Sequence, residues 1–366
     1  MDQQIDVRTL RQWLEEKRPV TVLDVRLDED REQWSIPGSV HVNAYEALKA
    51  GQRNLFSNVP LPVGVPVVTV CNRGVVSQIA AKQLVETGVP AVSLLGGMQA
   101  WSLAWNIAEM DLSPMRVLQV RRTGKGCLSY LLCSGGEAIV IDASLEPELY
   151  IALARQRGVN IRYVLDTHIH ADHLSRSKRL AEIAGAELWL PKQNRVHFPH
   201  RVLEDGSELR FGDSVLQAIH TPGHTGESTC YFVDRQALFT GDTLFLSGVG
   251  RPDLHANSTQ ASERAGQLYR SLKKILALEP GVRIFPGHTS TPVPFDNAVL
   301  TARLGDIVAQ LNEWLLSEES FTERIIAKIP PTPPNYDRIT ELNEAGASPD
   351  VDITELEAGA NRCAIS

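Results

Sequence analysis

The chain has no CxxC pair. Its five cysteines, Cys71, Cys127, Cys133, Cys230 and Cys363, are scattered and odd in number. That spacing excludes a disulfide framework and favours a reducing compartment, so a cytoplasmic protein is expected. There is no run of about 18 apolar residues, so no membrane span is expected. The N-terminus, MDQQIDVRTLRQWLEEKRP, is charged and helix-like and lacks the apolar stretch of a signal peptide. Basic charge is in deficit: 36 Lys and Arg against 44 Asp and Glu give a net charge of −8. That balance suits solubility and gives no footprint for a nucleic-acid or membrane partner. Low-complexity tracts and short-period repeats are absent too.

What remains is 366 residues with 43% hydrophobic content, enough for two domains with sizeable cores. In residues 1–106 short apolar runs alternate with helical patterns. TVLDVR at 21–26 and VVTVCN at 67–72 read as buried strands, and 75–88 as an amphipathic helix ending at a glycine. Strands alternating with helices imply a parallel sheet. Residues 107–115 read as a short linker. From 116 onward strand-like segments follow one another (RVLQVRR, CLSYLLC, EAIVIDAS, SELRFGDSVLQAIH, STCYFVDRQALFTGD), with helices expected at 146–157, 173–184 and 260–276. A helix is expected over 296–318, a proline-rich extended segment over 329–336, and a strap over the second domain to the end of the chain.

Cys71-Asn72-Arg73-Gly74-Val75-Val76-Ser77 follows a strand and opens a helix. Backbone N–H groups and a helix N-terminus beside the sulfur would favour a thiolate. A thiolate there can attack a sulfane sulfur and carry it as a persulfide. A buried structural cysteine is the alternative. Together with LDVR at 23–26, IPGSVHV at 36–42 and GGMQAW at 96–101, this loop resembles the rhodanese family over about the first 106 residues. The resemblance implies an α/β domain, a parallel sheet flanked by helices, with Cys71 as sulfur carrier. Family loops often carry arginine at the second and sixth positions, where this chain has Asn72 and Val76, and Arg73 offers partial compensation. The lost charge disfavours the thiosulfate dianion as donor and favours a glutathione-bound or other small persulfide. A docking role, with the domain binding a sulfur carrier protein, is the reading that Asn72 and Val76 support.

Thr167-His168-Ile169-His170-Ala171-Asp172-His173 comes straight after the strand-like IRYVLD. Histidines two apart on an extended segment point the same way, and Asp172 and His173 are expected to begin the next helix. Further on, His224 in TPGHT, Asp242 in FTGDT and His288 in PGH each follow an apolar strand into a tight turn. Imidazoles and carboxylates without a cysteine thiolate suit zinc, iron or manganese rather than a cysteine-rich structural zinc.

This set of residues resembles the metallo-β-lactamase superfamily over roughly 116–290. It implies an αββα sandwich (here 116–295) with the metal at one edge and a C-terminal helical and extended tail (296–366) completing the domain. Two branches resemble it most. Glyoxalase II, a thioester hydrolase, uses all seven ligands for two zinc ions. Persulfide dioxygenases keep one Fe(II) per chain on ligands that map onto His168, His224 and Asp242, the two-histidine, one-carboxylate face of oxygen-using iron. His170, Asp172, His173 and His288 would then orient ligands and water, Asp172 and His173 as catalytic residues beside Cys71 and Arg73. GDTLFLSGVGRPDL at 241–254 resembles the Gly-Arg-x-Asp segment of persulfide dioxygenases, which implies substrate-site roles for Arg251 and Asp253. ANRCAI at 360–365 resembles that family's Arg-Cys ending, so Arg362 is expected to meet a glutathione carboxylate. The expected chemistry is oxidation of glutathione persulfide by O2 to sulfite, fused to a sulfurtransferase exchanging sulfur with thiosulfate or sulfite. The rival is a dinuclear zinc thioester hydrolase. Oligomeric state is left open, with a homodimer allowed.

Overall fold

The computed structural model describes residues 4–365 apart from 312, 313, 348, 349, 358 and 360. The chain starts with β1 (Gln4–Ile5), α1 (Val7–Glu15), β2 (Thr21–Asp24), α2 (Asp28–Gln33), β3 (Val40–His41), α3 (Tyr45–Lys49), β4 (Val67–Val70), α4 (Val76–Glu86), β5 (Ala91–Leu94) and α5 (Gly97–Trp101). The strands form one five-stranded sheet in the order β1-β5-β4-β2-β3, parallel throughout. Apolar clusters lie on both of its faces, one around Leu23, Phe56 and Leu84 and one around Leu10, Val68 and Trp101. A parallel sheet needs both faces covered, and VVTV of β4 is buried at every position for that reason.

The second domain opens with β6 (Asn106–Leu112), β7 (Met115–Arg121), β8 (Leu128–Ser134), β9 (Glu137–Ile141), α6 (Pro147–Gln156), β10 (Asn160–Leu165), α7 (Ser177–Ala184), β11 (Glu187–Pro191) and β12 (Arg201–Leu203). It continues with β13 (Glu208–Phe211), β14 (Ser214–His220), β15 (Thr229–Val233), β16 (Ala237–Gly241), β17 (Val249–Gly250), α8 (Ser258–Leu276) and β18 (Arg283–Pro286). The chain closes with β19 (Ala302–Arg303), α9 (Leu304–Leu311), α10 (Glu318–Ala327), α11 (Tyr336–Ala345), α12 (Ile353–Leu356) and β20 (Ala364–Ile365). A seven-stranded sheet, β12-β11-β10-β9-β8-β7-β6, faces a six-stranded one, β13-β14-β15-β16-β18-β19. Tyr130, Ile139 and Leu165 from the first interleave with Leu216, Tyr231, Phe239 and Phe285 from the second. Helices α6 and α7 cover the outer face of the larger sheet, and α8 to α10 that of the smaller. The architecture is the expected αββα sandwich. Among the described residues no helix is long and apolar enough to cross a membrane.

Three segments differ from expectation. Residues 107–115 are no linker: β6 pairs with β7 at seven positions, so the chain leaves the first domain directly as the edge strand of the second. Its residues alternate between buried and exposed, as a half-covered edge strand does. Residues 173–176 form no helix and α7 starts at Ser177; Arg176 N donates to Ala143 O, which ties that stretch to the segment following β9. The helix expected over 296–318 is interrupted. Residues 302–303 add a strand to the second sheet before α9, and Ser317 caps α10 through Ser320 N.

The two domains share a packed junction. Trp34 Nε1 donates to Thr123 O (3.1 Å), Arg122 Nε to Ser102 O (2.7 Å) and Asn106 Nδ2 to Pro294 O (3.1 Å). A Cβ on Gly124 would run into the backbone of Trp101, so the contact requires glycine there. The terminal strap crosses this junction. Gln99 Nε2 donates to Thr354 Oγ1 (3.3 Å), Lys125 Nζ to Glu357 O (2.7 Å), and β20 pairs with β17.

Candidate metal centre

Every residue of the HxHxDH motif lies in the loop between β10 and α7, and the remaining three follow β14, β16 and β18. All seven side chains are buried, none more than 5% exposed. Burying this many imidazoles and carboxylates is costly unless each polar atom is matched. Several are not: His168 Nε2, His170 Nδ1, His173 Nε2 and Asp242 Oδ2 have no hydrogen-bond partner.

The tautomers follow from the surroundings. Thr167 Oγ1 spends its proton on Asp142 Oδ2 (2.9 Å), so it accepts from His168 Nδ1 (2.9 Å) and leaves a lone pair on His168 Nε2. His224 Nδ1 donates to Arg251 O (2.8 Å), which leaves its Nε2 lone pair 3.6 Å from Asp242 Oδ2. His168 Nε2 lies 3.9 Å from the same oxygen. Ligand atoms of these three residues lie within 4.8 Å of one another. Converging lone pairs and an unpartnered carboxylate oxygen fit a cation. Burial, with His170 adjacent, pushes His168 well below the usual imidazole range. Burial acts to raise Asp242, but His288, His168 and His224 outweigh it and hold the carboxylate ionised. Both shifts keep the residues in their metal-binding forms.

The other four motif residues group differently. His170 Nε2 donates to Asp142 Oδ1 (3.2 Å) and falls in a separate group with Asp142 and Asp166. His288 bridges two carboxylates, Nδ1 to Asp242 Oδ1 (2.5 Å) and Nε2 to Asp172 Oδ2 (2.9 Å), which raise it well above its usual range against the effect of burial. His173 Nδ1 donates to Asp172 Oδ1 (3.0 Å). A cysteine that the sequence reading did not include lies beside these residues: the Cys127 thiol donates to Asp172 Oδ2 (3.3 Å).

Residues the sequence reading left out hold the loop in place. Asn343 Nδ2 donates to His170 O (2.8 Å) and His173 O (2.9 Å), Glu227 Oε1 accepts from Ile169 N (3.1 Å), and Glu357 Oε1 accepts from Leu174 N (2.8 Å). Only Asp142, in the strand-end segment IVIDAS, carried a signal: a carboxylate where such sites form. Gly241, at φ +48°, sits against Thr167 Oγ1, where a Cβ would collide. A cavity of about 270 Å³ reaches His168 and His170, lined also by Arg176, Lys178, Phe198 and Asn343.

The two arginines expected at the substrate make contacts within the protein. Arg251 is fully buried and its guanidinium is spent on Asp253 (2.7 and 2.8 Å) and on the carbonyls of Pro330, Pro331 and Arg362. It clamps the strap, and its own carbonyl orients His224. Arg362 NH2 reaches Gln33 Oε1 (3.3 Å) of the first domain and not the metal cluster. Ala360, in the same terminal segment, lies outside the described residues.

In the first domain Cys71 is buried, and its Sγ accepts from Ser77 Oγ (3.2 Å). Asn72 Nδ2 donates to Asp30 Oδ2 (2.7 Å), Val76 is buried and Arg73 is exposed. Asn72 and Arg73 line a cavity of about 270 Å³ whose other side includes Gly124, Glu355 and Gly359 of the second domain and strap.

A family model described as the metallo-beta-lactamase superfamily matches residues 122–288, and one described as a rhodanese-like domain matches residues 6–104. A hydroxyacylglutathione hydrolase of Francisella philomiragia is 35% identical over 161 residues, which are 43% of this chain and 61% of that protein. The chain therefore spans about three fifths of that relative. A hydroxyacylglutathione hydrolase of Rhizobium etli is 34% identical over 199 residues, 51% of this chain and 72% of its own length. Among solved structures, a metallo-beta-lactamase from Staphylococcus aureus superposes with a TM-score of 0.59 at 26% identity, covering 64% of this chain and 74% of its own. ETHE1 from Myxococcus xanthus superposes with a TM-score of 0.54 at 25% identity, covering 66% of this chain and all of its own. With the αββα sandwich and its buried donor cluster, these matches show that the chain belongs to the metallo-β-lactamase superfamily and carries a rhodanese-like domain ahead of that fold.

Proposed function

We propose that the second domain is a persulfide dioxygenase. Glutathione persulfide, O2 and water give glutathione and sulfite, with the terminal sulfur oxidised and O2 reduced. The observation that carries this reading is the sorting of the seven motif residues. His168, His224 and Asp242 turn lone pairs toward one another, while His170 belongs to a different group and His288 is held between two carboxylates. Three donors on one face are what oxygen-using Fe(II) takes, and when bound the ion supplies open positions for a sulfur and for O2. The likeness to ETHE1 over the whole of that protein supports the same branch.

The chain's own residues do the positioning. The Asp142–Thr167 pair fixes the His168 tautomer, the Arg251 carbonyl fixes His224, and His288 Nδ1–H holds one Asp242 oxygen so that the other faces the histidines. Burial of all three donors keeps their metal-facing atoms from bulk water. Lys178 and Arg179, which line the cavity beside His168, suit the carboxylates of a glutathione tail. The first domain is proposed to move sulfane sulfur through Cys71.

A second reading, a dinuclear zinc thioester hydrolase, is favoured by the name shared by the Francisella and Rhizobium relatives and by the unpartnered Nδ1 of His170. The test is metal analysis of protein purified without oxygen and reconstituted with iron. One iron per chain, with sulfite formed in proportion to O2 consumed, supports the dioxygenase. Two zinc ions bridged by Asp242, with no O2 uptake after iron loading, overturn it. Zinc binds such donors at least as tightly as Fe(II), so activity after reconstitution outweighs occupancy on isolation.

A further inference from the structure

We infer that the cavity between the Cys71 loop and the terminal strap seats the amino-acid end of the thiol that exchanges sulfur at Cys71, and that it takes a zwitterionic, glutathione-class thiol rather than a small dianion. The inference rests on the proposed sulfur-carrier role of Cys71 and names the substrate class of that site. The cavity, about 270 Å³, opens beside Asn72 and Arg73, and Glu355 of α12 stands in its far wall. Met98 and Gln99 also line it, and their backbone N–H groups donate to Cys71 O and Asn72 O (both 2.9 Å). The wall is thus bonded directly to the loop that carries the sulfur. At the rim the strap is fastened by Gln99 Nε2 to Thr354 Oγ1 and by Arg362 to Gln33 Oε1 (both 3.3 Å). The volume is below the roughly 300 to 1,000 Å³ of sites that enclose whole drug-sized ligands, and fits one amino-acid-sized end.

Polar groups in this cavity are unspent. Ser102, just past α5, is 3% exposed and lines the cavity, and its Oγ has no hydrogen-bond partner. A buried hydroxyl left unmatched is costly and marks a place for a ligand acceptor. Arg73 lines the same cavity, and its guanidinium finds no partner among the described residues. Hydroxyl and guanidinium together are donors for a carboxylate. On the opposite side of the balance, the Glu355 carboxylate has no partner among the described residues, and Asp30 spends one carboxylate oxygen on Asn72 (2.7 Å). These two acids match the ammonium group of an amino acid.

The charge count decides the ligand class. Arg26 also lines the cavity, but its guanidinium is used up by Asp24 (2.7 Å) and the Trp34 carbonyl (2.7 Å). One unpaired cation, Arg73, is therefore set against two carboxylates, Asp30 and Glu355. A dianion such as thiosulfate meets one attraction and two repulsions there, whereas a zwitterion is matched at both of its charges. In the exchange, the glutathione thiolate attacks the outer sulfur of the Cys71 persulfide. The S–S bond to Cys71 breaks, a new one forms on glutathione, and the electron pair leaves as the Cys71 thiolate, with no net oxidation. Ser77 Oγ, which donates to Cys71 Sγ (3.2 Å), is placed to stabilise that thiolate.

Hydrogen–deuterium exchange of the full chain with S-methylglutathione, which cannot accept sulfur, reads the site without turnover. Exchange should slow in peptides covering 97–103 and 353–357, less so in Ser102→Ala and not at all in Glu355→Lys. Protection confined to the metal-domain loop around 166–180 would overturn the inference. Steady-state sulfur exchange gives the second readout. Ser102→Ala should raise the KM for glutathione about tenfold with kcat changed less than about twofold, the effect of one hydrogen bond to a charged group. Glu355→Lys, at an exposed position, should raise the KM for glutathione and lower that for thiosulfate. Unchanged KM values in both variants would contradict the assignment. Exchange that survives in Cys71→Ser would sink the sulfur-carrier reading alone, and the peptide protection would still decide whether the cavity is the thiol's seat.

Discussion

The metal cluster and the Cys71 loop both sit where strands run into turns, yet they present opposite balances of polar groups. In the cluster, residues from several strand ends are buried together, and four of their polar atoms have nothing to bond. In the loop, the neighbouring groups are satisfied: Cys71 Sγ by Ser77, Asn72 by Asp30, and Gln78 Nε2 by Gly74 O (2.7 Å). Unmatched buried polarity is expensive, so where it persists a ligand is implied. Geometry therefore argues for the metal centre by itself, while the sulfur-carrier role of Cys71 leans on its sequence context.

Four substitutions can break or sharpen that contrast. Asp242→Ala should have the largest effect. It leaves two imidazoles on the iron face, so bound iron and O2 uptake should fall by more than the roughly 10- to 100-fold typical of an outer ligand; iron analysis beside oxygen electrode traces reads both. Cys71→Ser should abolish thiosulfate–glutathione sulfur exchange, because a hydroxyl oxygen cannot carry the persulfide. Iron content and O2 uptake from supplied glutathione persulfide should stay near the parent values, and exchange that survives would make the first domain a docking module.

Glu357→Gln should come next, as a stability effect. This carboxylate is buried with Arg122 (2.6 Å, close but poorly aligned for a hydrogen bond) and Arg176 (2.6 Å). Neutralising it leaves Arg122 uncompensated and Arg176 with only Glu146 at 3.8 Å, at about 3 kcal/mol, read from urea unfolding. Burial acts to raise its pKa, but Arg122 and Arg176 outweigh that and hold it down at about 2, against 4.5 for an ordinary glutamate. The stabilisation is thus complete above about pH 4.5 and is lost as pH falls toward 2, so parent and variant should converge in acid. Arg362→Ala should do least, changing O2 uptake less than about twofold, since its contact with Gln33 is on the rim of the junction.

The strands and their order of appearance were largely legible, because buried strands announce themselves as apolar runs such as VVTV and EAIVI. The linker at 107–115 was misread because an edge strand with one covered face, NIAEMDL, alternates too weakly to stand out beside its neighbours. The buried donor cluster was legible in part, since HxHxDH places four candidate donors in six residues. Cys127 was not, as it is brought beside the cluster by a β-bridge to His288, 161 positions away in the chain. Arg251 was legible as special, but not its task. Nothing in GRPDL tells whether a guanidinium faces a substrate or, as here, the carbonyls of Pro330, Pro331 and Arg362.

The central claim, an oxygen-using iron on His168, His224 and Asp242, is tested most directly by a choice of substrates. Iron-reconstituted protein is given glutathione persulfide and S-lactoylglutathione at equal concentration, with O2 uptake, sulfite and free lactate followed together. The account predicts O2 consumed and sulfite formed in equal amounts, with lactate release slow or absent. Lactate release that outpaces O2 uptake would contradict it and make the chain a thioester hydrolase.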